Sequence, residues 1–249
     1  MSRTILKAAN FLVSMAVVCS LCLAGAYAAY ALWDNNRVYS AAENVQADML
    51  KLKPVIDEEG GPSFEELLKI NPDVCAWVTL DNTKLDYPVV QGETNLTYIN
   101  RDVYGSFALA GSIYLDSRNK KDFTDSYNLL YGHHMENGSM FGDLDLYKDE
   151  AFFRKNTTGT LILPDRVYEL EIFACLIVKA SEDVIFEPDR WRTDINGLIA
   201  FAEKNSLHLN DETIADLKQQ GNCQILAFST CSSEFTDART IILAVMKAS

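Results

Sequence analysis

Residues 224–246 read QILAFSTCSSEFTDARTIILAVM, and this stretch decides which kind of fold the chain adopts. It contains two apolar runs, Gln224–Thr230 and Thr240–Met246, separated by a short polar segment. Apolar runs of this length, bounded by polar turn residues, are typical of β-strands. Cys231 lies at the end of the first predicted strand, and Arg239 lies at the start of the second. A thiol and a guanidinium therefore stand at the ends of two predicted strands.

Six similar β-rich runs lie upstream in the chain. They are Ala76–Leu80, Tyr87–Val90, Ser112–Leu115, Leu129–Tyr131, Thr160–Leu163 and Val167–Ala180. Helical spacing interrupts the strands at Gly142–Lys155 and at Arg190–Asn205. About eight short strands with few helices predict a mainly β fold with flanking helices, either a closed barrel or a sandwich.

Composition and charge narrow the class of function. The chain has 249 residues, 48% of them hydrophobic, with 35 acidic and 22 basic side chains and a formal net charge of −13. This length is sufficient for one sizeable hydrophobic core. The acidic balance argues against nucleic acid as a partner, because phosphate binding needs net or clustered positive charge.

An apolar segment near the N-terminus predicts a membrane anchor. Phe11–Leu32 contains 22 residues without a charge, and a helix needs about 20 such residues to cross a bilayer. Arg3 and Lys7 precede the run, and Trp33 follows it. Since basic flanks stay in the cytoplasm, we expect a cytoplasmic N-terminus and an extracellular main domain in a single-pass cell-membrane protein.

This segment also sets the expected domain boundaries. We predict a cytoplasmic tail at 1–10, a transmembrane anchor at 11–33, a helical extension and linker at 34–62, and a β-rich domain at 63–249. The alternative is a cleaved signal peptide, because Ala26-Tyr27-Ala28 has the small-x-small form of a cleavage site. The uncharged run is longer than a usual signal-peptide core, which favours the anchor.

The histidines and cysteines limit the chemistry. The only histidines are His133, His134 and His208, and the sequence has no H-E-x-x-H pattern or Cys/His cluster, so we expect neither a metal site nor a cofactor. For His208 we expect a solvated helix or loop residue. Cys19 and Cys22 lie inside the predicted anchor, where they act as small apolar residues.

The remaining cysteines fall into two groups. Cys75, Cys175 and Cys223 lie beside apolar residues of predicted strands, which favours buried thiols. Cys231 instead ends its strand, and Tyr131-Gly132-His133-His134 follows another. A thiol, an imidazole and the Arg239 guanidinium at strand ends are typical of a nucleophilic site for acyl transfer.

In combination these segments resemble the sortases, the membrane-anchored cysteine transpeptidases of Gram-positive surfaces, and specifically class B. The resemblance covers residues 63–246. Its motifs are Asn71-Pro72-Asp73 with Ala76-Trp77, Asp86 to Gly92 (DYPVVQG), Gly111 to Asn119 (GSIYLDSRN), Tyr131 to Met135 (YGHHM), Ser139-Met140-Phe141, and Ser229-Thr230-Cys231 with Arg239. The family signature Thr-Leu-x-Thr-Cys reads Ala227-Phe228-Ser229-Thr230-Cys231 here, so only its last two fixed positions match.

The resemblance implies a closed eight-stranded sortase-type β-barrel and a role for each residue that matches a motif. Cys231 would be the nucleophile, His133 the general acid/base and Arg239 the stabiliser of the oxyanion or substrate carbonyl. Neighbouring residues of an extended chain point to opposite faces, so only one of His133 and His134 enters the site. For His134 we expect a polar loop residue.

The same resemblance implies a substrate groove beside the nucleophile. It places the groove near the segment from Asn95 to Ile99, and we expect these two residues to contact the substrate. Ser229 lies two residues before Cys231 on the same strand face, where it can hydrogen-bond the substrate. Thr230 is a further substrate-binding candidate.

The implied reaction is a two-step peptide exchange. The substrate would be a secreted protein with a C-terminal sorting signal like Asn-Pro-x-Thr-Asn, and the acceptor a peptidoglycan precursor amine or a pilin Lys. Two alternatives remain open from the residues alone. One is an anchored papain-like hydrolytic cysteine protease, which the order of His133 before Cys231 disfavours. The other is a non-catalytic β-domain that binds a surface ligand.

Overall fold

The structure is a computed structural model that describes residues 3–54, 56–57, 61–62, 64–192, 194–220, 223–231 and 237–248. For residues 56, 57, 61, 62, 220 and 231 it describes the backbone alone. The chain divides into two compact units, residues 1–40 and 41–249. The elements that carry the candidate site all belong to the second unit.

A single helix, α1, runs from Arg3 to Leu50. It contains the whole uncharged run, whose side chains are largely exposed, and by length and composition it can cross a membrane. The predicted anchor and the first part of the predicted helical extension thus form one continuous helix that ends at Leu50. After Leu50 the chain turns, with the Leu52 amide donating to the Met49 carbonyl at 2.8 Å.

The elements after α1 are mostly short strands. The strands are β1 (Ile56–Asp57), β2 (Gly61–Pro62), β3 (Val74–Leu80), β4 (Asp86–Val90), β5 (Ile113–Leu115), β6 (Tyr127–Tyr131), β7 (Thr158–Ile162), β8 (Val167–Lys179), β9 (Ser206–Leu209), β10 (Gln224–Cys231) and β11 (Ala238–Ala248). The helices are α2 (Glu65–Ile70), α3 (Glu150–Lys155), α4 (Asp183–Phe186), α5 (Asn196–Asn205) and α6 (Asp211–Gln220), with 3-10 helices at Gly142–Lys148 and Pro188–Trp191.

Eight of these strands close into a barrel. Their order is β11-β10-β6-β5-β4-β3-β7-β8, and β8 pairs back onto β11. The 13 residues of β8 make this closure possible, because the strand pairs with β7 through its first half and with β11 along its whole length. A register shift between Leu243 and Ala244 marks an irregularity in the β8–β11 pairing, and such bulges let a strand bend around a barrel. The predicted closed eight-stranded barrel is confirmed.

The two faces of β10 pack into different layers. Ile225 and Ala227 pack against α5 and α6 through residues such as Leu198 and Leu217. Phe228 lies one residue further and therefore on the opposite face, where its ring contacts Phe141 at a centroid distance of 5.8 Å. Because β10 is covered on both faces, only its end is left to approach a cleft.

The predicted buried thiols are found at two of the three positions. Cys75 and Cys175 are buried, on β3 and β8. Burial raises the pKa of the Cys75 thiol to about 12, so this sulfur stays protonated and unreactive at neutral pH. Cys223 is only half-buried, just before β10.

The predicted position of His208 is wrong. We expected a solvated helix or loop residue, but His208 lies on β9, which adds to the outer edge of β8. Its imidazole Nε2 lies 2.8 Å from the Lys148 carbonyl, and its ring packs against Phe153. The carbonyl and the aromatic ring come from a distant part of the sequence, so the local pattern gave no sign of them.

Candidate functional site

Three neighbouring strands bring the predicted residues to one edge of the barrel. β6 and β10 are parallel, with Tyr131 opposite Ser229, so their carboxyl ends lie at the same edge. β11 runs antiparallel to β10 and starts at this edge, which places Arg239 opposite Cys231 in the ladder. The segment after β6 stays close, because the Gly132 amide donates to the Ser229 carbonyl at 3.2 Å.

A cleft of about 340 Å³ opens at this edge. The sequence-predicted residues that line it are Asn95, Ile99, His133, Ser229, Thr230 and Arg239. The cleft also has lining residues that sequence reasoning missed, namely Leu96, Tyr114, Tyr131, Gly132, Ala180 and Phe186. Segments far apart in the sequence thus share one concave surface, as a substrate groove requires.

The chain reaches His133 through a glycine that has no room for a side chain. A Cβ atom at Gly132 would lie 2.6 Å from Ile113 Cδ1 and 2.7 Å from Phe141 Cγ. A larger residue would therefore push the following segment away from β5 and the 3-10 helix region. This close approach is the physical reason for the Gly-His order in the motif.

The imidazole of His133 is oriented by a backbone carbonyl. Its Nε2 lies 2.7 Å from the Ile99 carbonyl oxygen. Because a carbonyl only accepts hydrogen bonds, Nε2 must carry the proton. In the neutral ring Nδ1 is then the nitrogen that can gain a proton. Ile99 thus acts through its main chain, which its residue type could not indicate.

The next residue, His134, is engaged elsewhere. Its Nε2 lies 3.1 Å from Asp145 Oδ2, and Asp145 Oδ1 lies 2.8 Å from Lys148 Nζ and 3.2 Å from the Thr240 hydroxyl. The hydrogen bond to Asp145 raises the pKa of His134. Burial would raise the pKa of the Asp145 carboxyl, but hydrogen bonds from His134 and Lys148 outweigh it and lower that pKa to about 2. The side chain of His134 is therefore held by the Asp145 carboxylate.

Arg239 has a guanidinium with no described counter-ion. The side chain is half-buried, and its Nη1 donates to the Ala238 carbonyl at 2.9 Å. Among the residues that the structure describes, no carboxylate pairs with it. Partly buried charges are usually paired with an opposite charge, so this guanidinium is available to a negatively charged oxygen of a bound molecule.

Ser229 and Thr230 lie at the base of the cleft, and both are buried. The Thr230 hydroxyl makes no hydrogen bond within the described part of the chain. A buried hydroxyl without a partner costs free energy, on the order of 1–3 kcal/mol. A ligand that reached this hydroxyl would remove that cost.

Asn95 is held by hydrogen bonds of its own. Its Nδ2 donates to Asp116 Oδ2 at 2.9 Å, and its Oδ1 accepts from the Ser117 amide at 2.7 Å. These bonds fix one wall of the cleft to the barrel. Within the described residues, no group of three or more His, Cys, Asp or Glu side chains is placed to hold a metal ion.

Known proteins resemble this chain in sequence and in structure. No family model matches it. It is 30% identical over 181 residues to Sortase B of Listeria monocytogenes, with 72% of this chain and 71% of the relative aligned. A solved class B sortase of Streptococcus pyogenes involved in pilus biogenesis superposes with TM-score 0.67 and 35% identity, over 74% of this chain and 98% of that one. The Staphylococcus aureus sortase B–substrate complex gives TM-score 0.65 and 28% identity, over 84% and 94%.

Proposed function

Because the chain belongs to the class B sortases, a family of cysteine transpeptidases, we propose that it exchanges the peptide bond of a sorting signal like Asn-Pro-x-Thr-Asn. The three groups that carry the reaction are Cys231, His133 and Arg239. The observation that supports these roles best is the convergence of their strand ends, with Arg239 opposite Cys231 in the β10–β11 ladder. His133 joins them because β6 lies beside β10.

In the first step the Cys231 thiolate attacks the Thr carbonyl carbon of the signal. The bond from that carbon to the following nitrogen breaks, and a thioester forms. Protonated His133 gives its proton to the leaving amine. Because Nε2 donates to Ile99, Nδ1 is the atom that holds this proton. Arg239 stabilises the negative charge that develops on the carbonyl oxygen, a role that suits a half-buried guanidinium without a described carboxylate partner.

In the second step an amine attacks the thioester. His133 takes the proton that the amine loses, the carbon–sulfur bond breaks, and the thiolate is regenerated. The enzyme thus moves one acyl group between two amines without a cofactor. An acceptor amine, rather than water, makes the outcome transpeptidation and not hydrolysis.

Substrate contacts would come from the lining of the cleft. We propose that Ser229 and Thr230 hydrogen-bond the signal peptide at the base. Support comes from the buried Thr230 hydroxyl, which has no partner among the described residues. Asn95 and Ile99 would form the wall along which the peptide lies.

Two acceptor amines are candidates. A peptidoglycan precursor would anchor the product to the cell wall. A pilin Lys is the second candidate, because the Streptococcus pyogenes relative is a class B sortase involved in pilus biogenesis.

We also propose that α1 anchors the enzyme in the cell membrane with the N-terminus in the cytoplasm. The helix is long and apolar enough to span, and Arg3 and Lys7 precede its apolar part. In this arrangement residues 1–10 are the cytoplasmic tail, 11–33 the span, 34–62 the extension and 63–249 the extracellular catalytic domain. Tethering the enzyme near a secreted substrate and a lipid-linked acceptor raises their effective concentration.

The decisive experiment incubates the full-length chain in detergent micelles with a panel of fluorogenic signal pentapeptides. One acceptor peptide carries only an N-terminal amine, and another carries only a Lys side-chain amine. We expect a peptide joined to one acceptor from the wild type and no product from Cys231→Ala. Cys223→Ala is the matched control, since Cys223 is half-buried and lies outside the cleft lining. Equal turnover by Cys231→Ala would reject the nucleophile assignment.

A further inference from the structure

A buried carboxylate lies below the cleft and has no part in the reaction just described. Asp116 follows β5, and its side chain is fully buried. It accepts two hydrogen bonds from the Arg118 guanidinium, from Nε to Oδ1 at 2.9 Å and from Nη2 to Oδ2 at 2.8 Å, and a third from the Arg118 backbone amide to Oδ1 at 2.9 Å. Burial would raise the pKa of this carboxyl, but the bonds from Arg118 and Asn95 hold it below its ordinary value. Asp116 is therefore a paired anion at neutral pH.

The Asp116 carboxylate also accepts hydrogen bonds from two residues that line the cleft. Oδ2 accepts from Asn95 Nδ2 at 2.9 Å, which holds the wall that ends at Ile99. The same oxygen accepts from the Tyr131 hydroxyl at 3.0 Å. Tyr131 lines the cleft and directly precedes Gly132 and His133 in the sequence.

Arg118 connects Asp116 to a second part of the cleft lining, at Phe186. Its Nη2 donates to the carbonyl oxygen of Phe186 at 2.6 Å. Phe186 ends α4 and lines the cleft, where its ring stacks on Tyr131 at a centroid distance of 6.4 Å and an interplanar angle of 12°. The guanidinium therefore connects a buried anion to Phe186, a second segment of the cleft lining.

We propose that Asp116 and Arg118 form a positioning pair that fixes the spacing between the Asn95–Ile99 wall and the Phe186 wall. Neither residue lines the cleft. The pair acts through Asn95, Tyr131 and Phe186, so it sets substrate affinity and selectivity rather than the chemistry at Cys231. This role rests on the proposed function, which makes the cleft a peptide groove.

The planar fork of the arginine is essential to this arrangement. Three donor contacts point in fixed directions, two to the carboxylate and one to the Phe186 carbonyl. A lysine keeps the positive charge beside Asp116, but one ammonium cannot reproduce both contacts. Arg118→Lys is therefore the substitution that keeps the buried carboxylate paired with a positive charge while it removes the hydrogen bond to the Phe186 carbonyl.

The test compares full-length wild type, Arg118→Lys and Arg154→Lys. Arg154 pairs with Glu150 on exposed α3 and lies outside the cleft lining, so it controls for an Arg-to-Lys change as such. We expect Arg118→Lys to raise KM for the signal peptide about tenfold while kcat changes less than about threefold. The rate of Cys231 alkylation by iodoacetamide, followed by mass spectrometry, should not change, because this small reagent does not need the walls.

Two results would overturn the pair's role. One is an unchanged KM in Arg118→Lys, whatever happens to its melting temperature. The other is a parallel loss of turnover and alkylation, which indicates a damaged fold. Asp116→Asn is the second variant, because its amide oxygen still accepts from Asn95 while the charge is lost. If it folds, its KM should rise as well, and an unchanged KM would also count against the proposal.

A binding assay separates this proposal from the proposed reaction. Fluorescence anisotropy of a labelled signal peptide is measured on Cys231→Ala, with and without Arg118→Lys. Weaker binding in the double variant supports the pair even if no acceptor yields product. Equal binding rejects it even if the wild type is an active transpeptidase.

Discussion

His133 and His134 are adjacent in the segment after β6, but their imidazole rings have different hydrogen-bond partners. On the cleft side, the His133 ring is held by the Ile99 carbonyl, and no described carboxylate contacts it. On the other side, His134 pairs with Asp145, which is also bonded to Lys148. A ring anchored by a neutral carbonyl keeps one nitrogen available for proton transfer, whereas a ring that hydrogen-bonds a carboxylate is held by it, which favours the protonated form. One backbone step thus separates the histidine with a proposed chemical role from the one bound to a carboxylate.

The largest expected effect tests this difference directly. His133→Ala should lower kcat/KM for the signal peptide by about 10³-fold, because general acid–base catalysis typically contributes 10²–10⁴-fold. His134→Ala should stay within about tenfold of the wild type, because it removes one hydrogen bond worth about 1 kcal/mol. The two variants are matched, since they remove the same side chain from neighbouring positions. Similar losses of kcat/KM in both variants would show that the two histidines do not differ in role.

The next largest effect is expected at Arg239, which lines the cleft together with His133. If Arg239 stabilises the oxyanion as proposed, Arg239→Lys should lose about 10²-fold in kcat, since the ammonium cannot reproduce the planar fork of the guanidinium. Steady-state kinetics with the preferred pentapeptide measures the loss. Arg190→Lys is a suitable control, because Arg190 stacks on Trp191 outside the cleft lining. A rate near that of the wild type in Arg239→Lys would contradict the oxyanion role.

Much of the barrel could be predicted because its strands are local patterns. All eight predicted runs are strands, with ends that differ by a residue or two, since short apolar runs between turn residues are a local signal. β9 and α6 were missed. The β9 sequence SLHL alternates polar and apolar residues, but four residues are too few for this pattern to be distinctive. For α6 a signal was present: Asn210 accepts from the Glu212 and Thr213 amides as an N-cap, and Ile214 and Leu217 are spaced for a helix.

The candidate site was also predictable only in part from the sequence. His133 and Arg239 could be located in the sequence because they stand at strand ends, and the structure brings both to one cleft. The Ile99 carbonyl that orients His133 could not be found, since a main-chain group carries no residue-specific signal. The Asp116–Arg118 pair also depends on how distant loops meet. Its motif was recognised, but its contacts with Asn95 and Phe186 arise only in the folded chain.

The smallest expected effect concerns the ion-paired side of the loop and its dependence on pH. The pKa of Asp145 is lowered to about 2 from an ordinary value of 3.8. A lowered pKa means that the carboxylate stabilises the fold above pH 4 and loses this contribution as the pH falls through about 2. Asp145→Asn should therefore cost about 1 kcal/mol of unfolding free energy at pH 5, a modest value because the side chain is partly exposed. Denaturant unfolding at pH 5 and at about pH 2 measures the difference in unfolding free energy between the variant and the wild type.

The sign is opposite for the imidazole partner of Asp145. The pKa of His134 is raised, so its contribution is present at low pH and is lost as the pH rises through the raised value. His134→Gln should therefore be less stable than the wild type at pH 5 and should approach it at pH 9. His133→Gln is the control on the cleft side, because no described carboxylate pairs with that ring, and its stability difference from the wild type should not follow the same trend. If both glutamine variants showed the same pH trend, the Asp145 ion pair would not be what distinguishes the two histidines.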